Sequence, residues 1–153
     1  MSDTASARDD ESARDDDPLD RRPPGRDTAT VEAVGKLSEA LETVEEARGH
    51  LYAFHRLTGT ADFAVGEAAE MLDGAGHGEL ATRLREELLG RNVLFGRWTF
   101  QIVEDYDDGY YATIKALEAT VREDLMRGQR HVYEAELKAQ RRTPGWSGHE
   151  AAP

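Results

Sequence analysis

Residues 34–58 read VGKLSEALETVEEARGHLYAFHRLT, and their apolar positions decide the fold. Val34, Leu37, Leu41, Val44 and Leu51 recur at steps of three and four residues, or their sum, with charges between them. That period marks one face of an α-helix; a strand would alternate every second residue. The stretch predicts helix 1 over residues 30–58. Thr28 or Thr30 is a candidate N-cap, and Glu32 lies in the first turn, where the helix dipole favours an anion. Gly59, directly after Leu57-Thr58, offers the left-handed residue that commonly ends a helix.

The same period continues downstream. Thr60 and Asp62 open a second, shorter helix carrying Phe63, Ala64, Ala68, Met71 and Leu72, and Asp73-Gly74-Ala75-Gly76 closes it. A third helix is expected over 78–89, with Leu80, Leu84 and Leu88 four apart, ending at Gly90 and forming a hairpin with the second. Across 91–104, Trp98, Phe100 and Ile102 alternate as in a strand. A lone strand would leave its backbone groups unpaired, so helix is favoured. Thr99, Val103, Tyr106, Tyr110, Thr113, Ile114, Leu117, Val121, Leu125, Gly128, Val132 and Ala135 form a stripe that predicts helix 4 over 99–141, with Asp107-Asp108-Gly109 as its weakest joint. The expected fold is all-α. It is a small bundle of four helices with a coiled-coil-like period, two long antiparallel helices enclosing a short helical hairpin; an irregular orthogonal bundle is the alternative.

Composition sets limits on the partners. The 153 residues suffice for one domain with a core, expected over 30–141. With 31 acidic and 19 basic side chains, the net charge is −12. Residues 1–29 hold nine acidic and five basic groups, a net of −4; residues 30–141 hold 21 and 13, a net of −8. The expected folded part is itself acidic and has no basic stripe, which argues against nucleic acid and against anionic lipid as partners. There is no cysteine, so disulfides, thiol catalysis and thiolate metal sites are excluded. No leader-like apolar segment and no run of membrane-spanning length is present, and a cytoplasmic location is expected.

The ends read differently from the middle. Ser-Ala-Arg-Asp-Asp occurs twice, at Ser6–Asp10 and Ser12–Asp16, and Pro18, Pro23 and Pro24 come after it. With one leucine and no aromatic residue, residues 1–29 cannot bury enough apolar surface to offset ordering their backbone, so a disordered acidic tail is expected there. Residues 142–153, with Thr143-Pro144-Gly145-Trp146, are expected to form a second unstructured tail.

Polar groups that interrupt apolar faces are candidates for chemistry, because charges seldom face a core unless paired or functional. On helix 1 these are Arg48 and His55, with Tyr52 at the edge; on helix 4 they are Tyr106 and Tyr110, with Asp124 and His131 towards the edge. In an antiparallel pair His55 lies near the Tyr106 end, and His131 lies roughly 27 Å further along at ~1.5 Å per residue, so one site cannot hold both. The resulting cluster is Arg48, Tyr52, His55, Arg97, Trp98, Tyr106 and Tyr110. It suits a small anionic ligand held by Arg48 or Arg97, with hydrogen bonds from His55 and the tyrosines and a wall from Trp98. The other reading, a buried hydrogen-bond network that fixes helix pairing, comes first for such a cluster.

No metal or cofactor is implied. Di-iron bundles repeat Glu-x-x-His, whereas this chain has Glu46-x-x-x-His50 on the outward side of helix 1 and His131-x-x-Glu134 in reverse order. The strings Glu42-Thr43-Val44-Glu45, Glu67-Ala68-Ala69-Glu70 and Glu104-Asp105-Tyr106-Asp107 resemble those of the all-α nucleotide pyrophosphohydrolases. That resemblance implies Mg²⁺ held against a triphosphate, although Glu42 points away from the apolar stripe and Glu45 only flanks it. Neither a Gly-x-Ser-x-Gly elbow nor a phosphate-cradling Gly-Lys-Ser/Thr occurs. The function expected first is a non-enzymatic helical interaction module whose partner is a protein or a second copy of itself, as a homodimer. Arg97, Trp98, Phe100 and the pair Tyr110-Tyr111 are its interface anchors. The alternative is a small-anionic-ligand or Mg-dependent nucleotide-hydrolase site at the Arg48/His55 end.

Overall fold

The computed structural model describes residues 21–150, and all of its regular structure is helical. Helix α1 is Thr28–Gly74, α2 is Gly78–Glu87, α3 is Thr99–Tyr106, α4 is Ala112–Met126 and α5 is Val132–Arg141; a π-helical turn, Asp107–Tyr111, joins α3 to α4. The all-α expectation holds. The expected tail up to residue 20, with its repeated pentapeptide and Pro18, lies outside the described residues, as do residues 151–153.

Three boundaries differ from the sequence reading. The first is Gly59, which stays helical inside the 47 residues of α1. Ala61, Ala64 and the run from Glu67 to Leu72 that follow it are strong helix formers, and extending an existing helix is cheaper than nucleating another. The two threonines beside it are satisfied within the helix: the Thr58 hydroxyl donates to the Phe54 carbonyl at 2.8 Å and the Thr60 hydroxyl to the Arg56 carbonyl at 3.1 Å. The second concerns the cap of α1, which is Asp27 in place of Thr28 or Thr30. Its Oδ1 accepts from the Thr30 backbone N–H at 2.8 Å, and the bonds from Thr30 hold its carboxyl below the usual aspartate range. The third is the expected helix 4, which breaks after Met126. Arg127 and Gly128 are both left-handed (φ 52° and 74°), and His131 is again at φ 59°. Apolar spacing continues across this break, but the backbone turns.

The described residues divide into two compact units, one made of those up to Ala40 and from Leu117 on, the other of Leu41–Ala116. The first has a core. Val31, Val34, Met126 and Val132 are buried together, with Val121, Leu125 and Tyr133 packed on them. Gly35 allows the close approach of Tyr133, since a Cβ there would stand 2.9 Å from the Tyr133 Cβ. Ahead of α1, within the stretch read as tail, two arginines tie the chain down. Arg22 grips Glu136 through both carboxylate oxygens (2.6 and 2.8 Å), and Arg26 donates to the carbonyls of Asp124 and Leu125 (both 2.9 Å) near the C-terminal end of α4. Glu118 is the buried charge of this unit. It accepts from Ser38 at 3.0 Å and from Arg122 at 3.0 and 3.3 Å, and Arg122 also donates to the Gly128 carbonyl at 3.0 Å.

Two outcomes are expected for this unit. Arg122→Met leaves the Glu118 carboxylate buried without its cation and should cost about 3 kcal/mol in urea unfolding, as broken buried pairs do. The double variant Glu118→Leu/Arg122→Met should recover most of that loss. Gly35→Ala should destabilise measurably in the same assay, because Tyr133 backs against the added methyl through its own Cβ.

Candidate functional site

In the Leu41–Ala116 unit, α1 brings Arg48, Tyr52 and His55 to one side at three- and four-residue steps. The partner that meets Arg48 is Asp107, the first residue of the π-helical turn. Arg48 Nε donates to Asp107 Oδ1 at 2.7 Å and Nη2 to Oδ2 at 2.9 Å, a two-pronged pair. The Tyr52 hydroxyl donates to the same Oδ2 at 2.7 Å. The Arg48 guanidinium carbon lies 4.7 Å from the ring centres of both Tyr52 and Tyr111, so a cation rests against two aromatic rings while its fork is filled. Tyr111 closes the circuit by donating to Glu45 Oε1 at 2.7 Å.

Each titration shift has a visible cause. Asp107 is held below the usual aspartate range, first by the hydrogen bond from Arg48 and then by that from Tyr52. Arg48 is pushed further above its ordinary value by Asp107. Tyr52 is raised because its proton is bonded to the Asp107 carboxylate. The pairing itself is polar and partly exposed, with the Arg48 side chain at 32% and Asp107 at 21% of full accessibility.

The other residues singled out from the sequence are held separately. His55 Nδ1 is 2.7 Å from Thr99 Oγ1 at the start of α3. Arg97 pairs with Asp105. Trp98 meets Phe100 edge to face at 5.3 Å, and Tyr106 lies 5.9 Å from Tyr110. Asp107 and Tyr111 were missed as site residues. A stripe counted at 3.6 residues per turn puts Tyr110 inward and Tyr111 outward. The π turn takes more residues per revolution and rephases the helix beyond it by roughly a quarter-turn. Accordingly Tyr110 is exposed, and Tyr111, read as an outward interface anchor, lies against Arg48. The one sequence signal of this was the aspartate-aspartate-glycine joint at 107–109.

The carboxylate strings are dispersed by these contacts: Asp107 serves Arg48, Glu45 serves Tyr111 and Asp105 serves Arg97. Among the described residues no group of three or more histidine, aspartate or glutamate side chains is gathered to hold a metal ion. A concavity does exist in this unit, away from Arg48. It is a groove of about 350 Å³ between α1 and the segment after α2, lined by Thr58, Ala61, Asp62, Val65, Leu88, Arg91, Asn92 and Val93. Asp62 fixes its rim by accepting from the Gly90 backbone N–H at 2.8 Å. No helix among the described residues is long and apolar enough to cross a membrane. Comparison with protein-family models, with curated proteins and with solved structures finds no match.

The pairing predicts a pH dependence. A carboxyl depressed on folding stabilises the fold above its unfolded value of about 3.9. That contribution is lost as pH falls through the lower folded value. Asp107→Asn should therefore unfold at lower urea than the parent at pH 7. The two should converge as pH falls below about 3.9, compared by circular dichroism. Parallel curves across that range would assign Asp107 no role in the acid limb.

Proposed function

We propose that this chain is a non-enzymatic helical interaction module that associates with a second copy of itself. The observation that supports this is the apolar surface left uncovered by the Leu41–Ala116 unit. Its buried hydrophobic residues are Ala69, Ala81 and Val103, all small or medium-sized. Several of its large ones face outward: Phe95 is fully exposed, Phe63 is 78% exposed, Met71 75%, Leu57 67% and Trp98 58%, while Leu41, Leu51, Leu72, Leu84 and Ile102 are half-buried. Aromatic side chains carry about 150–250 Å² each, so Phe63, Phe95 and Trp98 alone present on the order of 400 Å². Single exposed leucines are ordinary, but this quantity of uncovered aliphatic and aromatic surface on one small unit marks an interface.

The polar cluster supports the same reading. A site for an anion needs a cation with free donors, and the Arg48 fork is directed at Asp107 and Tyr52. A Mg²⁺-dependent hydrolase needs convergent carboxylates, and those nearest are each engaged by a cation or a tyrosine hydroxyl. The net charge of −12 directs the interface away from polyanions and towards apolar contact.

Light scattering after size exclusion should give twice the chain mass at tens of micromolar, falling towards the single-chain mass on dilution. A strict monomer throughout that range overturns self-association. Pyrophosphate release from nucleoside triphosphates with Mg²⁺ should not exceed the protein-free control.

A further inference from the structure

Because α1 continues through Gly59, residues on either side of it share one helix face. Phe54, Leu57, Ala61, Ala64, Ala68 and Met71 succeed one another at steps of three, four, three, four and three. All six are exposed. The spacing is that of a two-helix coiled-coil seam, and upstream His50 and Ala47, also exposed, continue it. This face is distinct from the one bearing Arg48 and His55. It is also distinct from the side of α1 on which Ala69 is buried and Asp73 pairs with Arg85 of α2.

The geometry points to an antiparallel homodimer in which this seam packs against the same seam of a second copy, an inference that rests on the self-association proposed above. The occupant is argued from shape and charge. Opposed with the dyad level with Gly59, Leu57 meets Ala61, Phe54 meets Ala64, His50 meets Ala68 and Met71 meets Ala47. Each layer then joins one large and one small side chain, which keeps the helices at constant separation. A parallel in-register pair would instead stack Phe54 on Phe54 and then face alanine with alanine at 61, 64 and 68, alternately too wide and too close. The groove beside Ala61 and Val65 gives the opposed Leu57 room.

Charge agrees. Flanking the seam on one side are Leu51, Thr58, Val65 and Leu72; on the other are Ala53, Thr60 and Glu67. In the antiparallel register Glu67 faces Ala53 of the other copy, so no like charges oppose. Beyond the seam the two chains repel, since each carries −12. Raising salt from about 50 mM to about 500 mM should therefore tighten the dimer, whereas binding to a basic partner would weaken.

Sedimentation equilibrium on the full chain tests this, using Ala64→Glu, which puts a good helix former at an exposed position but a charge opposite Phe54. The dimer should weaken at least tenfold, while Ala119→Glu, which adds the same charge at an exposed position of α4, leaves it within twofold; helicity by circular dichroism checks that both variants fold. Orientation is read by cysteines placed in this cysteine-free chain. His50→Cys mixed with Ala68→Cys should form a mixed disulfide under mild oxidation, and Ala68→Cys alone should not dimerise covalently. A wild type that never dimerises overturns self-association and the seam together. A dimer indifferent to Ala64→Glu overturns the seam and leaves self-association standing. Covalent dimers of Ala68→Cys alone overturn the antiparallel register.

Discussion

The Leu41–Ala116 unit depends on the pairing of Arg48 with Asp107. Two parallel hydrogen bonds, a third from Tyr52 to the same carboxylate and the rings of Tyr52 and Tyr111 against the guanidinium tie α1 to the π-helical turn. This polar clasp stands where a larger domain would have a core, for the hydrophobic residues buried in the unit are two alanines and a valine. An arginine suits the role. Its planar fork gives direction as well as attraction, and its weakly hydrated faces stack on aromatic rings at low cost. A lysine at position 48 would keep the charge and lose both the second prong and the stacking.

Using polar contacts to join the helices has a consequence for the apolar side chains. Burial of large residues is the dominant favourable term in folding, and a unit that leaves Phe54, Leu57 and Met71 outside forgoes part of it. Covering those residues with a second chain restores the term. The small apolar residues of α1 then serve close approach of backbones, as Ala61, Ala64 and Ala68 would beside a second α1. The unit up to Ala40 and from Leu117 contrasts with it. There Val31, Val34, Met126 and Val132 supply a conventional core, and the buried carboxylate of Glu118 is matched by Arg122 and Ser38.

How much was legible in the sequence depended on which physical rule dominated locally. The helical class was legible because Val34, Leu37, Leu41 and Val44 repeat at the helical period, and no partner existed for the short alternation at Trp98–Ile102. The adjacency of Arg48 and Tyr52 was legible from a four-residue step. Boundaries were less so. Gly59 looks like a stop, but glycine inside a helix costs only about 1 kcal/mol relative to alanine, and the residues after it favour continuation. At Gly128 the reverse occurs: apolar spacing runs on while the backbone turns left-handed. Asp107 and Tyr111 were hidden for a third reason. A π turn changes the count of residues per revolution, and the Asp-Asp-Gly joint marks a weak point in the helix without giving the change of phase. The seam was hidden by the misplaced stop, which assigned Phe54 and Leu57 to one helix and Ala61 through Met71 to another.

The acidity of the chain and its uncovered apolar surface are two sides of one constraint. An exposed aliphatic and aromatic face would draw chains together indiscriminately if nothing opposed it. A net charge of −12 opposes contact between copies in most orientations, through repulsion that reaches about 8 Å at physiological salt. Contact is favoured only where a charge-free strip meets another charge-free strip in register. Along α1 such a strip runs from Ala47 to Met71, and its flanks carry one carboxylate beside it in the span from Leu51 to Leu72. Repulsion elsewhere thus narrows the allowed pairings, as unfavourable alternatives do in any specific association. The acidic surface contributes selectivity, the seam contributes attraction, and neither alone would specify a single arrangement of two copies.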